Sequence, residues 1–439
     1  MNNAEFHSLY YENVSVALIF LIISYTLTYL SVRKQVYSIF DPLFFNFLMA
    51  AAGYSVVFYL SYLDIISDYY LYSFCLTQGA FFIGINTFKL PRSTAPDVSH
   101  TTVTSKQLYD SVGYIKCFYY LSFLGFFISQ MIVYYYNGLP IFLDSRLSVF
   151  SGGSGFGFLN RVIYVTSTIT LTTSSYSLIF RDYLGIPKLV HRFQLLFYII
   201  VALFSGSKGA LLVMIFTISL MLFFSRRINS DVSLEKKATK LLLKILFLVF
   251  PAAIFTVFVQ TDFENIYEVV LAIAMRFVHT GQIFYMVYPN DILFEFPNAN
   301  GFVALFRDML GAWRIIDWNE LPVNHGLLAF QYHYALDVLT GPNDRHNTFG
   351  LFYFGFWGSI VFSYVIGFIM GFIRNKLYYR FRFNLITVNL YVLLNLAANN
   401  LNQDPSGMAV GYFHSIGIVF TVLLVISFLI YSASKREAS

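Results

Sequence analysis

Apolar residues run along this chain in blocks, most of them close to 20 residues, broken by short polar or charged stretches. Val14–Val32, Phe40–Tyr62, Tyr69–Phe88, Gly113–Tyr136 and Leu159–Phe180 come first. A shorter pair follows, Phe193–Phe204 and Ala210–Phe224, and then Thr239–Val259, Thr348–Ile373, Leu385–Leu401 and Gly407–Tyr431. A helix that crosses a bilayer needs about 20 apolar residues. The pattern therefore predicts an all-α fold, a polytopic transmembrane helical bundle of about 11 spans. The blocks are unbroken rather than alternating, which argues against a porin-type barrel. No internal repeat is visible, so an inverted-repeat transporter draws no support.

Composition narrows the class. Of 439 residues, 57% are hydrophobic and 12% charged, about half the roughly 25% of a soluble globular protein. That is too little charge to wet a soluble surface of this size, which excludes a soluble enzyme or a disordered chain. The net charge of +5 is not gathered into one basic domain, so a nucleic-acid binder is excluded too. Cys75 and Cys117 make neither a disulfide framework nor a zinc site, and no metal-ligand spacing appears. The opening MNNAEFHSLYYEN lacks a basic n-region, so no cleaved signal peptide is expected.

Charge sets an orientation. With the amino terminus outside and the carboxy terminus inside, 21 of the 28 basic residues fall on the cytoplasmic side. Acids divide the other way, giving +14 inside and −9 outside, in keeping with the positive-inside rule. One outer segment is far longer than the rest, and it divides the chain into a first bundle part (1–259), a long outer loop (260–347) and a last bundle part (348–439). The loop holds an expected amphipathic helix, Phe263 to Tyr288, then Trp313 and Trp318, then a helix-like run, Gly326 to Leu339. A loop of this length is usually functional.

The seven basic residues of the outer face are Arg146, Arg161, Lys208, Arg276, Arg307, Arg314 and Arg345. Topology does not require them there, and anion binding is the obvious reason to keep them. Lys208 lies in the turn between the two short spans. Twelve and fifteen helical residues reach roughly 18 and 22 Å, against a hydrocarbon core of about 30 Å, so Lys208 is expected at the floor of an outward-open pit. A lysine there is a functional candidate, with snorkelling as the plain alternative. Arg276 sits in apolar surroundings and needs a partner, either an anion or Glu264 or Glu268. Arg345 and His346 follow a Gly-Pro-Asn-Asp turn at the mouth of a span, and such a histidine could act as a base or orient a hydroxyl. Asn347 or Thr348 is expected to cap that helix. His279, His325 and His333 compete with His346, and each alone reads as structural. Arg146 and Arg161 flank the Gly/Ser loop 151–157, where a phosphate cradle competes with a plain flexible loop. Arg307 and Arg314 have Asp308 and Asp317 nearby, so ion pairing explains them.

Three stretches together resemble a known family: Ser205-Gly206-Ser207-Lys208-Gly209-Ala210-Leu211-Leu212, the long outer loop with Arg276 as its lone arginine in apolar, buried-looking surroundings, and Arg345-His346-Asn347-Thr348-Phe349-Gly350 leading into Phe354-Gly355-Phe356-Trp357-Gly358. With Gly138-Leu139-Pro140-Ile141 and Arg146 downstream, the layout looks like the O-antigen polymerase (Wzy) family, which is similar in plan to the O-antigen ligases. The resemblance implies a metal-independent GT-C type glycosyltransferase of the bacterial inner membrane, without cofactor, with its long loop and active site facing the periplasm. It implies undecaprenyl-diphosphate-linked oligosaccharides as donor and acceptor, the lipid bilayer as surroundings, and a chain-length regulator protein as a possible partner. Where the family usually has arginine after the Ser-Gly-Ser turn, this chain has Lys208, a point charge rather than a bidentate fork.

The resulting expectation is that Lys208, Arg276 and Arg345 clamp the diphosphate, with Arg276 and His346 as catalytic residues. His346 positions or deprotonates the acceptor hydroxyl, and Arg146, Arg161, Asn347 and His279 are weaker substrate contacts. An O-antigen ligase and a lipid-linked oligosaccharide flippase are the alternatives. A flippase should carry charges along several spans, and this chain carries few.

Overall fold

A computed structural model describes residues 1–91, 105–143, 156–180, 184–207, 209–227, 239–240, 242–244, 246–247, 251, 275–334 and 341–437. Among these the architecture is all-helical, with no strand. Five helices are long and apolar enough to cross a membrane: Val14–Val32, Pro42–Tyr62, Val112–Phe142, His346–Arg380 and Pro405–Arg436. Each coincides with an apolar block of the sequence, as expected of a membrane-embedded helical protein. Ala210–Ser225 and Leu385–Asn400 are apolar but shorter. The helix ahead of the 205–209 turn is Lys188–Phe204, 17 residues rather than the twelve its apolar core suggests. The helix takes in Lys188 and Arg192, polar residues that hydropathy alone places outside it. Most of Thr239–Val259 lies outside the described residues.

The chain divides into two compact units, one from Met1–Leu90, Asn265–Lys376 and Ala397–Val410, the other from Pro91–Glu264, Leu377–Leu396 and Gly411–Ser439. In the first, the Asp68–Asn86 and His346–Gly371 helices lie almost backbone to backbone. A Cβ on Gly371 would come within 2.6 Å of the Ile85 carbonyl oxygen, one on Gly84 would strike the Tyr364 carbonyl, and one on Gly367 would strike that of Phe81. Small residues at such a seam let membrane helices approach without a hydrophobic driving force.

The long loop packs into the core of this unit, against residues of the first helices from Phe6 to Phe74. Ile283, Phe284, Tyr285, Met286, Val287 and Tyr288 are all buried, so this part of the expected amphipathic helix has no wet face. Packing surrounds it: Tyr285 stacks on Phe6 at 4.0 Å, Tyr288 on Tyr70 at 4.5 Å, and Phe284 meets Phe74 edge-on. The loop then continues in short pieces, Gly301–Leu305, Arg307–Ala312 and His325–Tyr334.

At the other end of the His346–Gly371 helix, Arg374 forms a buried ion pair with Asp41, the side chains 5% and 0% exposed. Arg374 also donates to the Gln35 carbonyl at 3.1 Å. Asp41 accepts the Leu43 amide at 2.9 Å, capping Pro42–Tyr62.

In the second unit the Phe156–Ile179 helix buries a row of hydroxyls, including Thr166, Thr168, Thr170, Thr172 and Ser174. Ser174 joins a buried network with Tyr119, Gln194 and His191, where the Tyr119 hydroxyl lies 2.7 Å from Ser174 and 2.6 Å from His191 Nδ1. Such networks specify a unique packing only when every member is satisfied.

Removing one member of the Arg374–Asp41 pair leaves a buried charge alone, which costs about 3–5 kcal/mol. Asp41→Ala or Arg374→Ala should therefore lower thermal stability in detergent sharply. The double variant Asp41→Leu/Arg374→Met should lose much less than the sum of the two, and additive losses would show that the pair is not coupled.

Candidate functional site: a buried arginine beside a strained turn

The site is built on the start of the His346–Gly371 helix. Two backbone bonds hold that start: the Arg345 amide donates to the Gln403 carbonyl at 2.9 Å and the His346 amide to that of Asn402 at 3.1 Å. The first amides of a helix have no partner inside it, and here the 402–403 turn supplies one. The helix thus begins at His346 with Arg345 at the cap position, ahead of Asn347 and Thr348, and neither of those residues caps it. Asn347 instead donates to Thr77 Oγ1 at 2.9 Å, and the Thr348 hydroxyl bonds back to the Asp344 carbonyl. The turn is secured in its own right, since Asn402 donates to Asn46 Oδ1 at 3.1 Å.

Arg345 takes φ 50° and ψ 147°, a left-handed backbone that costs a non-glycine residue on the order of 1–3 kcal/mol. The bend sends three consecutive side chains to three different places. Asp344 accepts the Gly326 amide at 2.6 Å. Arg345 donates through Nε to the Thr280 carbonyl at 2.7 Å. His346 lies against Phe81 with ring centres 4.7 Å apart and its Nδ1 2.9 Å from the Ser363 hydroxyl.

Arg345 is the unusual member. It is 2% exposed, and among the described residues the ion pairs are Arg307–Asp308 and Arg374–Asp41, neither of which includes it. Its guanidinium sits over the Tyr54 ring at 5.3 Å and the Phe284 ring at 5.6 Å, a desolvated cation–π arrangement. Tyr54 also lies among the side chains of Gln78 and Asn402. Arg345 Nη1, both polar atoms of Gln78, the Tyr288 hydroxyl, Asn347 Oδ1 and His346 Nε2 are buried without completing a hydrogen bond. Buried polar groups are nearly always paired, and among these atoms Arg345 Nη1, the Tyr288 hydroxyl and, through Tyr54, Gln78 belong to the surroundings of the cation. Gly53 makes the room: a Cβ there would come within 2.8 Å of Arg345 Nη2 and 2.7 Å of Thr280 Oγ1. Burial lowers the Arg345 pKa from its ordinary value, offset by Tyr54 and Tyr288.

The remaining sequence-derived residues are placed as follows. Arg276 is exposed, because its neighbours Met275 and Val278 take the inward face. His279 is half-buried and occupied at both nitrogens, Nε2 3.1 Å from His7 Nε2 and Nδ1 3.0 Å from the Tyr285 hydroxyl. Burial, with His7 and Arg276 adding positive charge, pushes its pKa down to about 4. His333 touches the Met286 carbonyl at 2.8 Å. Arg161 is half-buried on the Phe156–Ile179 helix of the second unit. Lys208 and Arg146 lie outside the described residues. The structure thus brings together Arg345, His346 and Asn347, and adds Tyr54, Gln78, Tyr288 and Asn402. Gln78 had a signal in the sequence, an amide inside an apolar run, whereas the tyrosines had none among 34.

The fold and this site define a class, an all-helical membrane-embedded protein with a buried, acid-free arginine at the mouth of a helix. Comparison of the chain with family models, curated proteins and solved structures returns no match.

The low pKa of His279 carries a stability signature. The unfolded imidazole binds a proton below about 6.5 and the folded one only below about 4, so this residue makes stability rise with pH between those values. His279→Gln should flatten the melting-temperature curve of the purified protein over pH 4–6.5 relative to the parent. An unchanged slope would show that His279 is not held neutral by the fold.

Proposed function

We propose that this protein is a polysaccharide polymerase of the bacterial inner membrane, a multi-pass GT-C type glycosyltransferase of about 11 spans acting at the periplasmic face. It transfers a growing glycan en bloc from undecaprenyl diphosphate onto an undecaprenyl-diphosphate-linked repeat unit. The observation that carries this reading is Arg345, a buried guanidinium without a carboxylate, whose Nη1 and whose neighbour, the Tyr288 hydroxyl, lack partners. A diphosphate answers both deficits: its oxygens accept from Arg345, Gln78 and Tyr288, and its charge balances the cation. The resemblance of the Arg345–Gly350 stretch to the polymerases supplies the sugar substrate.

In the reaction, the acceptor oxygen bonds to the anomeric carbon of the donor glycan. The bond from that carbon to the diphosphate breaks, and its electron pair leaves on the diphosphate. A preorganised cation at the developing charge lowers the barrier, the role given to Arg345, with Arg276 as a further diphosphate contact. His346, its ring against Phe81 and its Nδ1 2.9 Å from the Ser363 hydroxyl, holds the turn that aims Arg345 in this reading.

Deletion of the gene should remove long glycan chains while single repeat units remain. Arg345→Ala should reproduce that loss with the protein still present in the membrane. Arg345→Lys, which keeps charge but not the fork, should give shortened chains. Loss of every repeat unit from the cell surface would point to a ligase instead, and a normal ladder in the alanine variant would remove Arg345 from the mechanism.

A further inference from the structure

The turn that sends Arg345 one way sends Asp344 another, onto a cleft of about 110 Å³. Asp344, His325, Asp404 and Tyr353 line it, with Arg307 and Asp308 at the rim, their side chains 29% and 43% exposed. Asp344 is 2% exposed, and Asp404, half-buried, accepts from the Gly407 amide at 2.9 Å and the Ser406 hydroxyl at 3.3 Å. His325 is fully buried, stacked on Phe352 at 5.1 Å, and neither ring nitrogen has a partner. A wall with two carboxyl groups, an imidazole in want of partners and an aromatic ring suits a neutral, polyhydroxylated ring. An apolar cavity of about 150 Å³ takes a benzene ring, so this cleft admits the edge of one sugar and not a chain.

We propose that this cleft seats the acceptor sugar and that Asp344 is the base for its attacking hydroxyl. The proposal rests on the glycosyl-transfer reading above and adds the acceptor half of the site. The acceptor O–H gives its proton to the Asp344 carboxylate as its oxygen bonds to the donor's anomeric carbon. The bond from that carbon to the diphosphate breaks with its electron pair on the diphosphate. Asp344 then returns the proton to water at the mouth, past Asp404. Donor and acceptor would thus be handled from two faces of one bend, by Arg345 and Asp344.

The charged surroundings of Asp344 agree. Burial raises its pKa to about 8, Asp404 pushes in the same direction, and the Gly326 amide and Arg307 pull it back. Burial holds His325 neutral, its pKa down at about 3. Tyr353 lines the same cleft, and Asp308 lies at the rim. A base poised near neutral pH is the most effective kind, contributing about 100- to 10,000-fold in rate.

The test uses the full chain purified in detergent and follows the infrared C=O band of protonated carboxyl groups across pH in the parent and in Asp344→Asn. The parent should show a band at pH 6–7 that Asp344→Asn lacks and that fades as pH rises through about 8. Identical band profiles in parent and Asp344→Asn overturn the proposal. In cells lacking the native gene, Asp344→Asn should abolish chain extension and Asp344→Glu should retain part of it. The asparagine keeps an acceptor for the Gly326 amide, and it removes a carboxyl whose ionisation opposes folding as pH rises from about 4 to about 8. Its melting temperature should therefore fall less than the parent's toward alkaline pH, which separates lost chemistry from lost fold. Normal extension by Asp344→Asn, with Arg345→Ala inactive, sinks the cleft and leaves the polymerase reading standing. A deletion without effect on glycan removes both.

Discussion

One buried charge organises the first unit. A guanidinium withdrawn from water without a carboxylate is among the costlier arrangements a fold can hold, and the surroundings of Arg345 are shaped to tolerate it. Gly53 lacks the Cβ that would occupy its place, the Thr280 carbonyl accepts its Nε, and the rings of Tyr54 and Phe284 lie against its plane. A left-handed backbone at the same residue adds strain to desolvation. Strain of this kind persists only where the surrounding structure over-determines it, and here the over-determination comes from the 402–403 turn and the packed loop.

The same bend explains how adjacent residues come to have unrelated environments. In a regular helix, Asp344, Arg345 and His346 would fan out at about 100° per residue around one axis. With Arg345 outside helical geometry, the acid reaches Gly326, the cation reaches Thr280, and the imidazole is tucked against Ser363. A carboxyl group raised toward neutral pH and a desolvated cation can then sit next to each other in sequence without cancelling as an ion pair.

Aromatic residues do the work of rigidity. The 283–288 stretch falls on a helix of only six residues, Gln282–Val287, yet its rings are clasped by Phe6, Tyr70 and Phe74, and aromatic pairs of this kind contribute about 0.5–1.5 kcal/mol each beyond area burial. The long loop is thereby part of the core, and its Thr280 carbonyl becomes a dependable support for the arginine. At the far end of the His346–Gly371 helix, the Arg374–Asp41 pair and the glycine seam keep the same helix in register against Asp68–Asn86.

The apolar blocks by themselves determined the helical, membrane-embedded class, because roughly 20 uncharged residues in a row leave the backbone no other way to satisfy its polar groups away from water. The sequence also singled out Arg345 and His346, since a charge and an imidazole at the mouth of an apolar run are conspicuous there. It suggested Arg276 as well, from apolar neighbours, but a helix turns its residues through 100° each and Arg276 came to face outward. Only the tertiary structure decided that Asn347 reaches Thr77 instead of capping, that 283–288 is enclosed rather than amphipathic, and that Asp344, His325 and Asp404 share a cleft. Those outcomes depend on contacts between segments tens to hundreds of residues apart, and on one backbone angle at Arg345, neither of which leaves a trace in local hydropathy.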